Sequence, residues 1–310
     1  MSWVLLAAGA QLINAFVAIG DKYLVTDEKR MPKPFVYAFY TCLVTAFWLV
    51  IYFFGFIPGL ADYGVPQFAN VRTPTLDVVA LSFFSAYTFF MALVSLYGTL
   101  KRADTSDVMP VVGAVSAIGT FGLSMFFLGG YSSPDFIWGI LLLATGTFLV
   151  SHLRFTSNIA LAAVHSGLFF ALHYIAMKGL FVATNFDDGF FWSRIALVLF
   201  AMSWLLVPNY LELIRDQGKV TTRKTGVMVF GNKILAGIAS FMILKATDWG
   251  DVAVVQALDG LKFVFILVIG LALSRFLPEA AQEKDKSFRT IVRKFLYVII
   301  ICIGFVLLFK

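Results

Sequence analysis

Residues 244–255, LKATDWGDVAVV, repeat the pattern of residues 100–111, LKRADTSDVMPV. At this offset of 144, Leu100, Lys101, Asp104, Asp107, Val108 and Val111 fall on Leu244, Lys245, Asp248, Asp251, Val252 and Val255. Each stretch joins two long apolar runs, the third to the fourth and the eighth to the ninth. A second match at an offset of 156 lays Ala15, Ile19, Lys22 and Leu24 on Ala171, Ile175, Lys178 and Leu180, at the ends of the first and sixth runs. Both matches relate run n to run n+5, so the chain reads as two five-helix halves, 1–155 and 156–310. Because five is odd, the second half enters a membrane from the opposite face, which makes the repeats inverted about an axis in the membrane plane.

The membrane follows from composition. Of 310 residues, 60% are hydrophobic and 14% charged, against about 45–50% and about 25% in soluble domains. A span needs about 20 apolar residues, so ten spans take about 200 residues and leave no room for a soluble domain. The expected spans are Trp3 to Gly20, Phe35 to Phe56, Val78 to Tyr97, Val108 to Leu128 and Phe136 to Leu153 in the first half. In the second half they are Asn158 to Val182, Gly189 to Val207, Gly226 to Leu244, Val252 to Ser274 and Val292 to Phe309. The runs do not alternate as barrel strands do, so the expected fold is an all-α polytopic membrane protein of ten helices. No positive n-region precedes the first run, which reads as a retained helix.

Net charge is +6, but the cations are scattered through short loops instead of gathered on a nucleic-acid-binding face. Connections and span edges after odd-numbered runs carry seventeen Lys and Arg, from Lys22, Lys29, Arg30 and Lys33 to Arg293 and Lys294. Those after even-numbered runs carry Arg72 and Lys245, with Lys310 at the C-terminus. The positive-inside rule then puts both termini outside the cytoplasm. Cys42 and Cys302 have neither metal-type spacing nor a disulfide framework and read as buried thiols.

The stretch from Asn14 to Leu24, NAFVAIGDKYL, the PFVYAFYTCL that opens the second span and the GDVAVVQALDGLKFVFIL of the ninth resemble the drug/metabolite transporter superfamily, in its ten-helix EamA-like branch. The resemblance covers the whole chain. It implies the family's five-plus-five inverted fold, small-metabolite substrates and export across the inner membrane. Members of that family are usually drawn with both termini in the cytoplasm, and the loop charges here point the other way.

Five charged residues fall well inside expected spans: Lys178, Arg194, Lys233, Asp259 and Lys262. A charge at a helix centre costs about 2.5–3.5 kcal/mol on insertion scales, so such residues face the bundle interior, pair, or line a wet cavity. Lys178 is one turn from a span end and can snorkel. Arg194 sits about a turn inside its expected span, open to anchoring or function. Lys233, Asp259 and Lys262 are near midpoints. Gln256, Asp259 and Lys262 share a stripe, Asp259 can pair with Lys262, and Lys233, beside Asn232, supplies a second cation. The bland reading is an ion pair locking two helices. The functional reading is a site for an anionic group, two cations facing one carboxylate, with Asp259 coupling movement to a proton gradient. His165 and His173, offset by about 80° around one helix, complete a candidate relay, His173 carrying protons. In the first half Asn14 and Tyr40 line the cavity, and no midplane charge is expected there.

No phosphate-binding loop, hydrolase elbow or metal cluster is present, so no cofactor is expected. The Asp187-Asp188 pair resembles half of a prenyl-transferase acidic motif and lacks the other half, which leaves a membrane enzyme as a remote alternative. The expectation is a non-enzymatic secondary transporter of small polar metabolites such as amino acids or organic anions, in the inner (plasma) membrane. Its substrate site is Asn14, Tyr40, His165, Asn232, Lys233, Gln256 and Lys262, with Asp259 and His173 for the proton. Its partners are the small-molecule substrate and the lipid bilayer, with no nucleic acid, as a monomer or homodimer. The closer alternative is a lipid or lipid-linked sugar flippase on the same fold.

Overall fold

The computed structural model describes residues 2–27, 33–60, 64–129 and 156–272, with Arg30 and scattered positions in 137–145 and 289–307. The described residues are helical with no strand, and eight helices are long and apolar enough to cross a membrane. These are α1 (Ser2–Thr26), α2 (Pro34–Phe54), α3 (Leu76–Arg102), α4 (Thr105–Phe127), α5 (Ser157–Ala183) and α6 (Phe186–Leu206). A short amphipathic α7 (Pro208–Val220) precedes α8 (Arg223–Trp249) and α9 (Val252–Gly270). The chain is thus a multi-pass membrane protein. The expected fifth and tenth spans, Phe136 to Leu153 and Val292 to Phe309, lie largely outside the described residues.

Polar caps set several helix starts. Thr75 accepts from the Val78 amide at α3, Asn185 from Asp188 at α6 and Thr222 from Thr225 at α8. The Asn185 cap starts α6 three residues before the expected Gly189, so Arg194 lies eight residues from Phe186 and twelve from Leu206, near the middle of the span. Likewise α1 runs six residues past Gly20, which brings Asp21 inside the helix. α4 begins at Thr105, so Pro110 lies inside the helix and not in its first turn, and it cannot donate to the carbonyl four residues back.

Two spans are not regular. α2 tightens to a 3-10 helix over Thr45–Val50, and α9 does so over Leu258–Gly260, around Asp259. Mid-span 3-10 turns mark hinges or functional sites. In the packing, α1 lies on α8 and α9, whereas α5 lies on α3 and α4. Two lysines brace these contacts in the same way. Lys22 of α1 donates to the carbonyls of Leu100 (2.6 Å) and Ala103 (2.8 Å) at the end of α3. Lys178 of α5 donates to those of Thr247 (2.9 Å), Asp248 (3.1 Å) and Gly250 (3.0 Å) at the end of α8. Each ammonium meets the negative end of a helix dipole and its otherwise unsatisfied carbonyls. Lys178 is therefore a cap and does not snorkel to the surface.

Candidate functional site

A cavity of about 140 Å3 opens in the centre of the bundle, walled by α1 to α4 on one side and α5, α8 and α9 on the other. Of the expected site residues, Asn14, Lys233, Gln256, Asp259 and Lys262 line it. Lys262 donates to both Asp259 oxygens at 2.7 Å, the i,i+3 pair expected from spacing. Gly113 of α4 lets the α9 break come this close, since a Cβ there would lie 2.8 Å from Asp259 Oδ2 and collide with the Phe263 ring.

Lys233 does not join that pair. Its ammonium donates to Asp21 Oδ1 at 2.6 Å and to the Tyr97 hydroxyl at 2.9 Å, and lies 4.3 Å from the Tyr37 ring centre. The same Asp21 oxygen accepts from the Tyr37 hydroxyl and Asn232 Nδ2, both at 2.6 Å. Asp21 and Lys233 are 4% and 3% exposed, so this is a buried pair in the cavity wall that joins α1 to α8. Desolvating both ions costs several kcal/mol each, and the added donors around Asp21 offset part of that. One expectation is corrected here. Each of these two lysines has its own carboxylate, one of them Asp21 near the end of α1, so the pairs themselves hold no excess positive charge.

Four expected residues do not line the cavity. Asn232 turns to Asp21 and the Val17 carbonyl, seated over Gly20 where a Cβ would meet its amide at 2.5 Å. Both histidines face α3: His165 bonds Ser95 Oγ at 2.7 Å, and His173 bonds Ser85 Oγ at 2.9 Å. A buried imidazole needs a hydrogen-bond partner, and the α3 serines supply it. His173 is therefore fixed in a helix contact and not in a relay. Tyr40 packs edge-on to Phe39 with its hydroxyl near Gly218 of α7. Asp187 and Asp188 fasten a loop: Asp187 accepts from the Gln67 amide (3.1 Å) and Asn70 Nδ2 (2.7 Å), and Asp188 from the Arg72 amide (3.1 Å).

The residues that sequence reasoning missed are Asp21, Tyr37 and Tyr97. A signal existed for Asp21, which precedes Lys22 in the matched stretch and sits where a cavity-facing cation on the other half needs a partner.

No protein-family model matches this chain, and no curated protein sequence does. A solved structure described only as a crystal structure of a protein is similar over 99% of this chain and 96% of its own, with a TM-score of 0.63 at 16% identity. At that identity the likeness carries the fold alone.

Proposed function

We propose that this protein is a secondary transporter of small polar metabolites, working by alternating access between two inverted five-helix halves, 1–155 and 156–310. The observation that carries the reading is the central cavity with charged walls from both halves, one ion pair crossing between them and the other at a 3-10 turn within α9. A mid-span 3-10 turn often marks a functional hinge. The two-repeat reading is supported by the lysine caps. Lys22 and Lys178 are matched at the 156 offset, and Ala103 and Thr247, whose carbonyls they bond, at the 144 offset. The exchange of packing partners, α1 on α8 and α9 against α5 on α3 and α4, has the same symmetry.

In this mechanism Asn14 and Gln256 hydrogen-bond the substrate, and rocking of the halves switches access. Asp259 carries the proton: its partner is on its own helix, so neutralising it does not unfasten the bundle. The resemblance to EamA-like transporters agrees with this reading and suggests export across the inner membrane, and the loop charges suggest termini outside the cytoplasm.

The test is movement of a pooled metabolite mixture in sealed proteoliposomes, with and without an imposed proton gradient. Gradient-dependent movement of a few compounds is expected. No movement of any water-soluble compound, with movement of a labelled lipid, replaces this reading with the flippase.

A further inference from the structure

Arg194 takes part in neither ion pair. It is 4% exposed at the middle of α6, and among the described residues no carboxylate pairs with its guanidinium. The group lies 5.0 Å from the Phe190 ring centre, and among the described residues its Nε–H has no acceptor. In the 3-10 stretch of α2, the buried Trp48 indole N–H has none among the described residues either. It lies against Gly237, where a Cβ would collide with it, so the indole is held in place by a residue without a side chain. Both residues line one side pocket of about 40 Å3 together with Thr41, Thr45 and Ser240, with these two donor atoms buried in its wall. The pocket shares Thr41, Ser240 and Lys233 with the central cavity and adjoins it.

Buried donors are almost always satisfied, and two unsatisfied ones in a single pocket point to an acceptor that arrives from outside the chain. We propose that this pocket binds the carboxylate of the transported metabolite, with Arg194 and Trp48 as its donors; the assignment rests on the transport reading above. A guanidinium edge and an indole N–H are planar donors suited to a planar two-oxygen acceptor. On the measure by which one water needs about 10–15 Å3, the pocket has room for about three water-sized groups, enough for a carboxylate. The charge count agrees. Lys233, Lys262 and Arg194 face Asp21 and Asp259, three cations to two carboxylates, and the remaining positive charge matches a monocarboxylate whose body fills the central cavity.

The full-length protein in detergent is challenged with matched probes, each a monocarboxylate and its amide: acetate with acetamide, isobutyrate with isobutyramide, benzoate with benzamide. Inorganic phosphate is included, and binding is read as the concentration-dependent rise in Tm. At least one carboxylate is expected to stabilise the protein where its amide and phosphate do not. Trp48→Phe, which keeps the ring and loses only the N–H, is expected to weaken that binding about tenfold, and Arg194→Lys by more. If no carboxylate binds, if amides or phosphate bind as well, or if both variants bind as the parent does, the assignment is overturned. Flux of the bound carboxylate into proteoliposomes separates the two claims. Carboxylate-selective binding without flux sinks the transport reading and leaves the site. Flux of other metabolites that Arg194→Lys does not change sinks the site and leaves the transport reading.

Discussion

Asp21–Lys233 joins α1 to α8 and is wrapped in Tyr37, Tyr97 and Asn232, whereas Asp259–Lys262 closes within one helix at the point where that helix tightens to a 3-10 turn. The side chains of the first pair are 6% and 2% exposed, those of the second 17% and 12%. Both pairs line the central cavity, but removing a charge from the first strands its partner in the more deeply buried contact between α1 and α8. Removing one from the second leaves a partner in the more exposed pair, within one helix. On the proposed function, the first fastens α1 to α8, and the second is the pair whose loss the bundle tolerates.

The strongest way to break this comparison is Asp21→Asn, which leaves Lys233 buried and uncompensated and is expected to cost about 3–5 kcal/mol in unfolding in detergent. Adding Lys233→Met should recover much of that loss, and a double variant no better than the single one would argue against the pair as the cause. Tyr37→Phe removes one hydrogen bond to a charged oxygen, for an expected loss of about 1.5–3 kcal/mol. Asp259→Asn should cost less than Asp21→Asn, about 1–3 kcal/mol for the partner left unsatisfied, while abolishing stimulation of transport by a proton gradient. Equal destabilisation by the two Asp→Asn changes would erase the distinction. The smallest effect is expected from Tyr40→Phe, which is away from the cavity: within about 0.5 kcal/mol in stability and unchanged flux.

The eight described spans were legible because each is a long apolar run, and lipid leaves the backbone no alternative to a helix. The offsets of 144 and 156 stand in the sequence itself, and the lysine caps fall on residues that they match. Depth was misread, because apolar runs mark where hydrophobicity ends and not where a helix ends. The cap at Asn185, followed by Asp187 and Asp188 in the first turn, is a helix-start signal in the sequence, and it moves Arg194 from an edge to the middle. Facing was harder. His165 and His173 share a helix with cavity-lining Phe170 and Tyr174, and the serines that turn the histidines away, Ser95 and Ser85, lie on a helix 70 and 88 residues distant in the chain.

Alternating access predicts that a residue in the cavity wall is reachable from each side of the membrane in turn. In protein stripped of Cys42 and Cys302, a cysteine placed by Ser116→Cys lies in that wall and reacts with a membrane-impermeant thiol reagent only where water reaches it. The expected result is labelling from either face of proteoliposomes, with an imposed gradient raising one and lowering the other. Labelling from a single face under every gradient, or from neither, would contradict a cavity that exchanges sides.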